Sequence, residues 1–259
     1  MRFEKWHAHG NSYLLVERDD ERRLDAARVR RLCDVATGIG SDGLLEVFGR
    51  RPGGTNVVIW NPDGGTSEMS GNGTRIAAAS LLEQESGPVE VDTGSRVVDA
   101  RAKGRTSAGV MLVEQQLGRI DVGSDEELEL ADERLVVATV NLGNPHAVVR
   151  REQLSREELL RLGPALERHA RFPERTNVQL VRPESGNVVR ALVWERGAGE
   201  TASSGSSATA VAALAVARGW CESPVRVAMP GGELTVSVGS GRATLTGPAE
   251  RICVGETTL

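Results

Sequence analysis

Two serines, each followed by a glycine, are the residues of this sequence best placed to do chemistry. One opens the stretch Ser70-Gly71-Asn72, and the other opens Ser204-Gly205-Ser206. Each stretch leads into small, helix-compatible residues, so each is predicted to be a loop that enters a buried helix. The first turn of a helix carries N–H groups without intrahelical partners and the positive end of the dipole, and glycine lets a ligand approach the backbone. Both loops are therefore predicted to bind an anion such as a carboxylate or a phosphate.

The elements that must position these loops follow the same order in both halves of the chain. Trp60 and Trp194 each stand ten residues before one of the two serines. Asn11 and Asn144 are separated by 133 positions (144 − 11), close to the 134 between the serines (204 − 70). We infer an internal duplication that gives two similar α/β domains. Copied ligand-binding loops favour an active site in a cleft between the domains.

Hydrophobic periodicity and turn residues place the individual elements. Helices are predicted over 25–35, 76–82, 155–169 and 208–217, the third beginning with a capping box of Ser155 and Glu158. Single strands are predicted over 44–48, 56–60, 135–140, 175–181 and 188–194, and two more within 3–16. The segment 89–113 is predicted to be a meander of strands broken by Gly94, Gly104 and Gly109. The segment 225–254 is also predicted to be rich in strands. The predicted domains are 1–115, completed by the strand 250–259, and 116–249.

Composition excludes several classes of function. The chain of 259 residues has a formal net charge of −5 with both signs mixed and only 3% aromatic residues, unlike the basic face of a nucleic-acid-binding protein. The basic stretch 22–31 is interrupted and predicts the solvated face of a helix. No apolar run is long enough to span a membrane, and the N-terminus lacks the apolar core of a signal peptide, so we expect a cytoplasmic protein.

The cysteines and glycine motifs predict neither a metal nor a nucleotide. Cys33, Cys221 and Cys253 are odd in number and lack the spacing of metal ligands, which favours a reducing compartment and small core residues. The glycines at 38–40 and 71–73 lack the full dinucleotide-binding pattern. We therefore expect no metal and no cofactor.

Eight motifs in the same order resemble the diaminopimelate epimerase family, the cofactor-independent amino-acid racemases and epimerases. They are His9-Gly10-Asn11, 38–40 with Asp42, 61–64, 70–73 with Arg75, 143–146, 175–178, 195–201 and 229–232. The resemblance covers nearly the whole chain. It implies an α/β (α+β) fold of two pseudo-symmetric domains, each a curved sheet around a central helix, with the active site between them and a homodimer as the assembly.

The resemblance also implies the chemistry. It predicts the conversion of LL- to meso-diaminopimelate, a precursor of lysine and peptidoglycan, by two-base proton transfer. The family uses one cysteine from each half, because a thiol of pKa about 8.5 that is lowered at a helix N-terminus can exchange protons near neutral pH. Here both positions are serine, Ser70 and Ser204, and a hydroxyl is a far weaker acid than a thiol.

Further roles carry over from the resemblance residue by residue. His146 and Glu195 are the expected partners of the two acid/base groups, so the candidate catalytic residues are these two and the two serines. Glu195 and Arg196 are expected to hold a distal ammonium and carboxylate, the latter through two-pronged hydrogen bonding. Expected substrate-binding residues also include Asn11, Asn61, Gly71, Asn72, Asn144, Asn177, Gly205 and Ser206. The alternative for any one loop asparagine is that it caps a turn.

The paired serines leave three interpretations open. In the first, the chain is an isomerase whose serines are activated by neighbouring side chains. In the second, it is a homologue with a different role, as a lyase or as a non-catalytic amino-acid binder. In the third, it is a variant inactivated by changing cysteine to serine. Engineering of two positions does not account for Ile76, Ser203, Ser207 and Thr209, which also depart from the commoner family pattern. Against the lyase, both bases are replaced, and the loops resemble the diaminopimelate branch.

Overall fold

A computed structural model describes residues 1–18, 24–130 and 133–259, which divide into two compact units. Unit 1 comprises residues 1–116 and 246–259, and unit 2 comprises residues 117–245. The last strand of the chain runs from Arg242 to Glu256 and therefore contributes to both units. Arg22 and Arg23 of the predicted basic stretch lie outside the described residues, and Arg30 and Arg31 are exposed on the first helix, as predicted.

Unit 1 is built from strands that surround one helix, with a second helix packed separately. Its elements are β1 (Arg2–Ala8), β2 (Asn11–Glu17), α1 (Ala26–Cys33), β3 (Leu44–Arg51), β4 (Gly54–Trp60), β5 (Thr66–Ser67), α2 (Gly71–Leu82), β6 (Val89–Asp92), β7 (Val97–Arg105) and β8 (Met111–Arg119), whose last residues pass into unit 2.

Unit 2 repeats this order. Its elements are β9 (Asp121–Glu129), β10 (Arg134–Asn141), β11 (Pro145–Arg150), α3 (Arg156–Glu167), β12 (Asn177–Glu184), β13 (Val188–Glu195), β14 (Gly199–Thr201), α4 (Gly205–Ala217), β15 (Val225–Met229), β16 (Gly232–Gly239) and the first part of β17 (Arg242–Glu256).

The strand registers repeat along with the elements. The antiparallel pair β3–β4 sets Leu44 opposite Trp60, and β12–β13 sets Val178 opposite Trp194. Both residues of the second pair stand 134 positions after those of the first. Parallel pairing of β2 with β3 and of β11 with β12 is likewise common to the two units. The duplication inferred from the sequence is therefore present in the hydrogen bonding of the strands.

The two helices that follow the serine loops are buried on nearly every side. In α2 every residue from Asn72 to Leu82 is buried, and α4 is buried from Ser207 to Ala215. Small alanine side chains let strands approach both helices closely, and a helix that is apolar all round is suited to the centre of a core. Strands β1 to β4, β6 and β7 contact α2, so the predicted sheet around a central helix is confirmed.

Several element boundaries differ from the predictions for physical reasons. The helices predicted from 76 and 208 begin earlier, at Gly71 and Gly205, directly after the serines. The strand predicted from 175 begins at Asn177, because Arg175 has φ +62°, which is incompatible with a strand. Gly104 does not break the meander but lies inside β7, where the register with β8 shifts.

Two further predictions need correction, and one strand was not predicted. Cys253 is exposed on β17, whereas Cys33 and Cys221 are buried as expected. Strand β9 was not predicted, because its many acidic residues do not give the apolar alternation typical of a strand, although it pairs with β10. The capping box is half formed: the hydroxyl of Ser155 accepts from the Glu158 N–H at 3.3 Å, while the Glu158 carboxylate accepts from Arg151 Nε.

Candidate active site

In unit 1, Ser70 sits at the N-cap of α2 with extended backbone. Its Oγ accepts a hydrogen bond from the Gly73 N–H at 3.0 Å and lies 3.0 Å from the Tyr13 hydroxyl. A Cβ at position 73 would lie 3.2 Å from Ser70 Cβ and 3.3 Å from its Oγ. Glycine at position 73 therefore lets the helix begin close to the Ser70 hydroxyl without crowding it.

Two of the three asparagines predicted in unit 1, Asn11 and Asn72, are joined directly. Asn72 Nδ2 donates to Asn11 Oδ1 at 3.1 Å, and Asn72 Oδ1 accepts from Arg75 Nη2 at 2.8 Å. The Arg75 guanidinium also donates through Nε to the Pro248 carbonyl oxygen at 3.0 Å. The orientation of Asn11 is thus set through Asn72 by a buried arginine that is tied to β17.

Burial lowers the pKa of Arg75 to about 10. The side chain is fully buried yet remains protonated at neutral pH. It holds a positive charge in the first turns of α2, close to the predicted anion-binding loop. This charge favours binding of a carboxylate there.

Asn61 lies on the turn after β4 and is exposed. Its backbone N–H donates to the Gly65 carbonyl oxygen at 2.8 Å, and its own carbonyl accepts from the Gly64 N–H at 3.0 Å. These backbone hydrogen bonds close the turn and hold the Asn61 backbone in place.

In unit 2, Ser204 is the N-cap of α4 and is almost fully buried. Its Oγ accepts from the Ser207 N–H at 3.4 Å and lies 3.4 Å from the Ser206 hydroxyl. The Ser204 hydroxyl also acts on the Glu195 carboxyl, whose pKa it lowers. In a hydrogen bond between the two groups Ser204 is the donor, because a carboxylate only accepts.

Glu195 is the last residue of β13 and is half-buried. Burial raises its pKa above the usual range of a glutamate, and the hydrogen bond from Ser204 opposes part of that shift. A carboxylate with a raised pKa is a stronger base than an exposed one. Unit 2 therefore pairs the weakly acidic Ser204 hydroxyl with a strengthened proton acceptor.

His146 is fully buried on β11. Its Nδ1 lies 3.1 Å from Gln179 Nε2 and its Nε2 lies 3.2 Å from Asn144 Oδ1, a pattern that assigns the proton to Nε2. Burial lowers the pKa of His146 to about 3, and the Arg196 charge lowers it further. The ring is neutral at physiological pH and orients Asn144.

Asn177 connects the loop before β14 to β11. Its Oδ1 accepts from the Arg196 backbone N–H at 3.0 Å, and its Nδ2 donates to the Pro145 carbonyl oxygen at 3.1 Å. The Arg196 side chain is exposed and donates to the Glu174 carbonyl oxygen. Asn177 thereby holds the backbone from which Glu195 and Arg196 project.

Sequence reasoning missed Tyr13 and Gln179, which touch Ser70 and His146 respectively. Tyr13 follows Asn11 by two positions, as His146 follows Asn144, so the duplication itself was a signal for it.

Among the residues that the structure describes, no group of three or more His, Cys, Asp or Glu side chains could hold a metal ion. Within those same ranges every helix is too short or too polar to cross a bilayer.

Comparison with known families accounts for this paired arrangement. The sequence profile described as "Diaminopimelate epimerase" matches residues 3–118 and 138–252, one segment for each repeat. The chain belongs to the diaminopimelate epimerase family. The predicted family is thereby confirmed, and with it the predicted class of cofactor-independent amino-acid isomerases.

Similar proteins match over most or all of their length. Diaminopimelate epimerase from Ectopseudomonas mendocina is 32% identical over 276 residues, with 100% of this chain and 99% of that protein covered. The enzyme from Natranaerobius thermophilus is 34% identical, with 99% and 98% covered. Diaminopimelate epimerase 2 from a Nostoc species is 33% identical, with 92% and 88% covered.

Solved structures with the same fold include more distant proteins. A probable proline racemase from Agrobacterium radiobacter superposes with a TM-score of 0.76 at 16% identity, covering 100% of this chain and 93% of that one. A phenazine biosynthesis protein from Bacillus anthracis gives 0.75 at 14% identity, covering 100% and 99%. These likenesses confirm the predicted two-repeat α/β fold.

Proposed function

We propose that this protein is a cofactor-independent amino-acid epimerase that interconverts LL- and meso-diaminopimelate, with Ser70 and Ser204 as its proton-transfer groups. The observation that carries the proposal is that each serine caps a buried helix beside a side chain that can assist proton transfer. The Tyr13 hydroxyl lies 3.0 Å from Ser70 Oγ, and the Ser204 hydroxyl lowers the pKa of the Glu195 carboxyl. Full-length similarity to diaminopimelate epimerases supports the substrate.

Inversion at the α-carbon proceeds by two balanced proton transfers. Ser204 Oγ accepts the α-proton as the Cα–H bond breaks, and the hydroxyl proton of Ser204 passes to the Glu195 carboxylate. Ser70 then gives its hydroxyl proton to the opposite face of the carbanion, where a new Cα–H bond forms. The protein gains one proton at Glu195 and loses one at Ser70, so solvent restores both groups. The opposite isomer reacts by the reverse sequence.

Substrate recognition uses the groups around the serines. The N–H groups at Gly71, Asn72, Gly205 and Ser206 provide first-turn donors for the α-carboxylate and for charge that develops in the transition state. Arg196 binds the distal carboxylate, and Glu195 is adjacent to the distal ammonium group. Asn11, Asn61, Asn144 and Asn177 complete the hydrogen-bonding set, with Asn144 oriented by the neutral His146.

The metabolic role and assembly follow the family. We propose a place in lysine and peptidoglycan precursor synthesis, a cytoplasmic location and a homodimeric assembly. Sedimentation velocity at several protein concentrations tests the assembly. A species with the mass of a single chain at every concentration would overturn that part of the proposal.

Proton–deuterium exchange by NMR tests the activity. The unmodified protein and a Ser70→Cys/Ser204→Cys double variant are incubated in deuterium oxide with LL- and meso-diaminopimelate, and deuterium at the α-carbon is followed. Exchange by the unmodified protein, with interconversion of the isomers, is the expected result. Circular dichroism shows that the double variant is folded.

The remaining outcomes separate the alternatives. Exchange by the double-cysteine variant alone would mean that the pocket fits the substrate while the natural chemistry differs. Loss of water from a 3-hydroxy amino acid would then identify a lyase. Binding in calorimetry without exchange by either protein would identify an amino-acid binder and overturn the epimerase proposal.

A further inference from the structure

The hydroxyl of Tyr13 is the unassigned group that lies closest to the proposed chemistry. Tyr13 is the only tyrosine in the chain, it is 7% exposed, and its Oη lies 3.0 Å from Ser70 Oγ. It is held on β2 opposite Trp6 of β1. The contact joins residues 57 positions apart, so it is made by the fold and not by local chain geometry.

The internal duplication gives Tyr13 a defined counterpart. The parallel pair β2–β3 begins with Leu14 opposite Leu44, and the parallel pair β11–β12 sets Ala147 opposite Val178. Tyr13 directly precedes Leu14, and His146 directly precedes Ala147. Tyr13 therefore occupies in unit 1 the position that His146 occupies in unit 2, one of the positions at which the family resemblance implies a partner for an acid/base group.

We infer that Tyr13 is a positioning residue that makes Ser70 competent to exchange protons, an inference that rests on the proposed epimerase function. While Ser70 is neutral, either hydroxyl of the pair is able to donate. Once Ser70 has given its proton to the substrate carbanion, only Tyr13 can donate. The Ser70 oxygen then receives two hydrogen bonds, from the Tyr13 hydroxyl and from the Gly73 N–H at 3.0 Å. No proton leaves Tyr13 in this step.

The two donors address the weakness of a serine as an acid. Hydrogen bonds to the charged form of a group favour that form, and donors fixed before the reaction stabilise charge as it develops. A thiol in the same place ionises far more readily and depends less on such help. The phenol is therefore expected to matter more to a serine at position 70 than to a cysteine.

A purely structural role for Tyr13 makes a different prediction. A buried tyrosine needs a partner for its hydroxyl, and Ser70 would provide one even without any chemistry. In that case Tyr13→Phe would change stability slightly and leave turnover intact. One measurement, independent of turnover, tests whether the contact between Tyr13 and Ser70 exists, and a second measurement, on turnover, separates the two roles.

The first measurement uses the fact that the chain has a single tyrosine. Protein labelled with ¹³C at the tyrosine ring carbon that bears the hydroxyl gives one resonance, which is compared between the unmodified protein, Ser70→Ala and the control Ser67→Ala. We expect Ser70→Ala to shift the resonance and Ser67→Ala to leave it in place. If the chemical shift of this resonance is the same in Ser70→Ala as in the unmodified protein, the inference is overturned, whether or not the protein has activity.

The second measurement is a double-mutant cycle on turnover. Tyr13→Phe is made in the unmodified protein and in Ser70→Cys, and kcat and KM for α-proton exchange are measured. With serine at position 70, kcat is expected to fall on the order of 10- to 100-fold with KM unchanged, because Tyr13 acts through Ser70. With cysteine at position 70 the fall should be several-fold smaller.

Each outcome decides a different point. An unchanged kcat for Tyr13→Phe in a protein that turns over would overturn the activating role and leave the epimerase function standing. Equal losses with serine and cysteine would also overturn it, since the effect would not depend on the acidity of residue 70. Absence of exchange in every variant would overturn the epimerase function and the activating role together, and the resonance would still report whether the contact exists.

Discussion

In the proposed mechanism, Glu195 is the side chain on which the chemistry of unit 2 depends most. Burial raises its pKa, and the Ser204 hydroxyl opposes part of that shift. We predict that Glu195→Gln lowers kcat for α-proton exchange by about 10²- to 10⁴-fold, the usual contribution of a general base. The glutamine keeps the shape of the side chain but cannot take the Ser204 proton. Steady-state exchange kinetics provide the measurement.

Glu200, on the adjacent strand β14, gives a matched control. It is exposed and forms an ion pair with Arg156, so Glu200→Gln removes a carboxylate without touching Ser204. We expect this change to alter kcat by less than about threefold, in line with the small energy of an exposed ion pair. Equal losses in the two variants would show that loop stability, and not proton transfer, explains the effect of Glu195.

His146 links protonation to the stability of unit 2. Its pKa is about 3 in the folded protein, below the value of about 6.5 expected when unfolded. The unfolded state therefore binds the extra proton first, and the stability due to the neutral ring is present above about pH 6.5 and lost as pH falls towards 3. Between about pH 7 and 4.5 this loss should be roughly 2–3 kcal/mol.

Urea denaturation at several pH values measures that loss. His146→Gln replaces the ring by a group that does not titrate, so its stability should fall less steeply with pH than that of the unmodified protein. The carboxylates titrate in both proteins and cancel in the comparison. Parallel slopes for the two proteins would contradict a depressed pKa at His146.

At the scale of elements, α3 packs so closely on β13 that one of its residues must be glycine. A Cβ at Gly163 would lie 2.7 Å from Trp194 Cγ and 2.8 Å from its Cδ2. Alanine normally stabilises a helix interior by up to about 1 kcal/mol relative to glycine. Here we predict that Gly163→Ala destabilises the protein by about 1–3 kcal/mol, the usual cost of overpacking.

Thermal or urea unfolding measures whether Gly163→Ala lowers the free energy of unfolding, as predicted here, or raises it, as is usual in a helix interior. Trp194 is also tied to α3 through its indole N–H, which donates to the Glu167 carboxylate at 2.9 Å, so the ring cannot move aside freely. Gly87→Ala is the control, because a Cβ there meets no atom within 4 Å. A Gly163→Ala protein as stable as the unmodified one would mean that Trp194 shifts at little cost.

At the scale of the whole molecule, patterns that repeat were predictable and isolated contacts were not. The serine loops and their helices follow from small residues and N-cap chemistry present twice in the chain. Cys253 gave no local sign of its exposure, because its neighbours Ile252 and Val254 are apolar yet exposed as well. The contact between Tyr13 and Ser70 depends on tertiary structure, which single-sequence periodicity does not encode.

The composition of unit 1 makes a further prediction about independent folding. Strand β1 pairs with the C-terminal part of β17, from Arg2 opposite Glu256 to His7 opposite Glu250, and Pro248 accepts from the buried Arg75. A fragment of residues 1–116 lacks both contacts. We predict that this fragment is unfolded, because β1, although still paired with β2, loses its partner on the other edge and the buried guanidinium loses the Pro248 carbonyl, and both losses are costly.

Restoring the missing segment should restore the fold. The N-terminal ammonium of Met1 donates to the Thr257 carbonyl oxygen at 2.6 Å, so the chain ends of unit 1 are close enough for a short glycine linker. A permuted chain of 246–259, linker and 1–116 is expected to show cooperative thermal unfolding by circular dichroism, which 1–116 alone should lack. Cooperative unfolding of 1–116 alone would show that the N-terminal repeat forms its core without the C-terminal strand, and Arg75 would then have to find another partner.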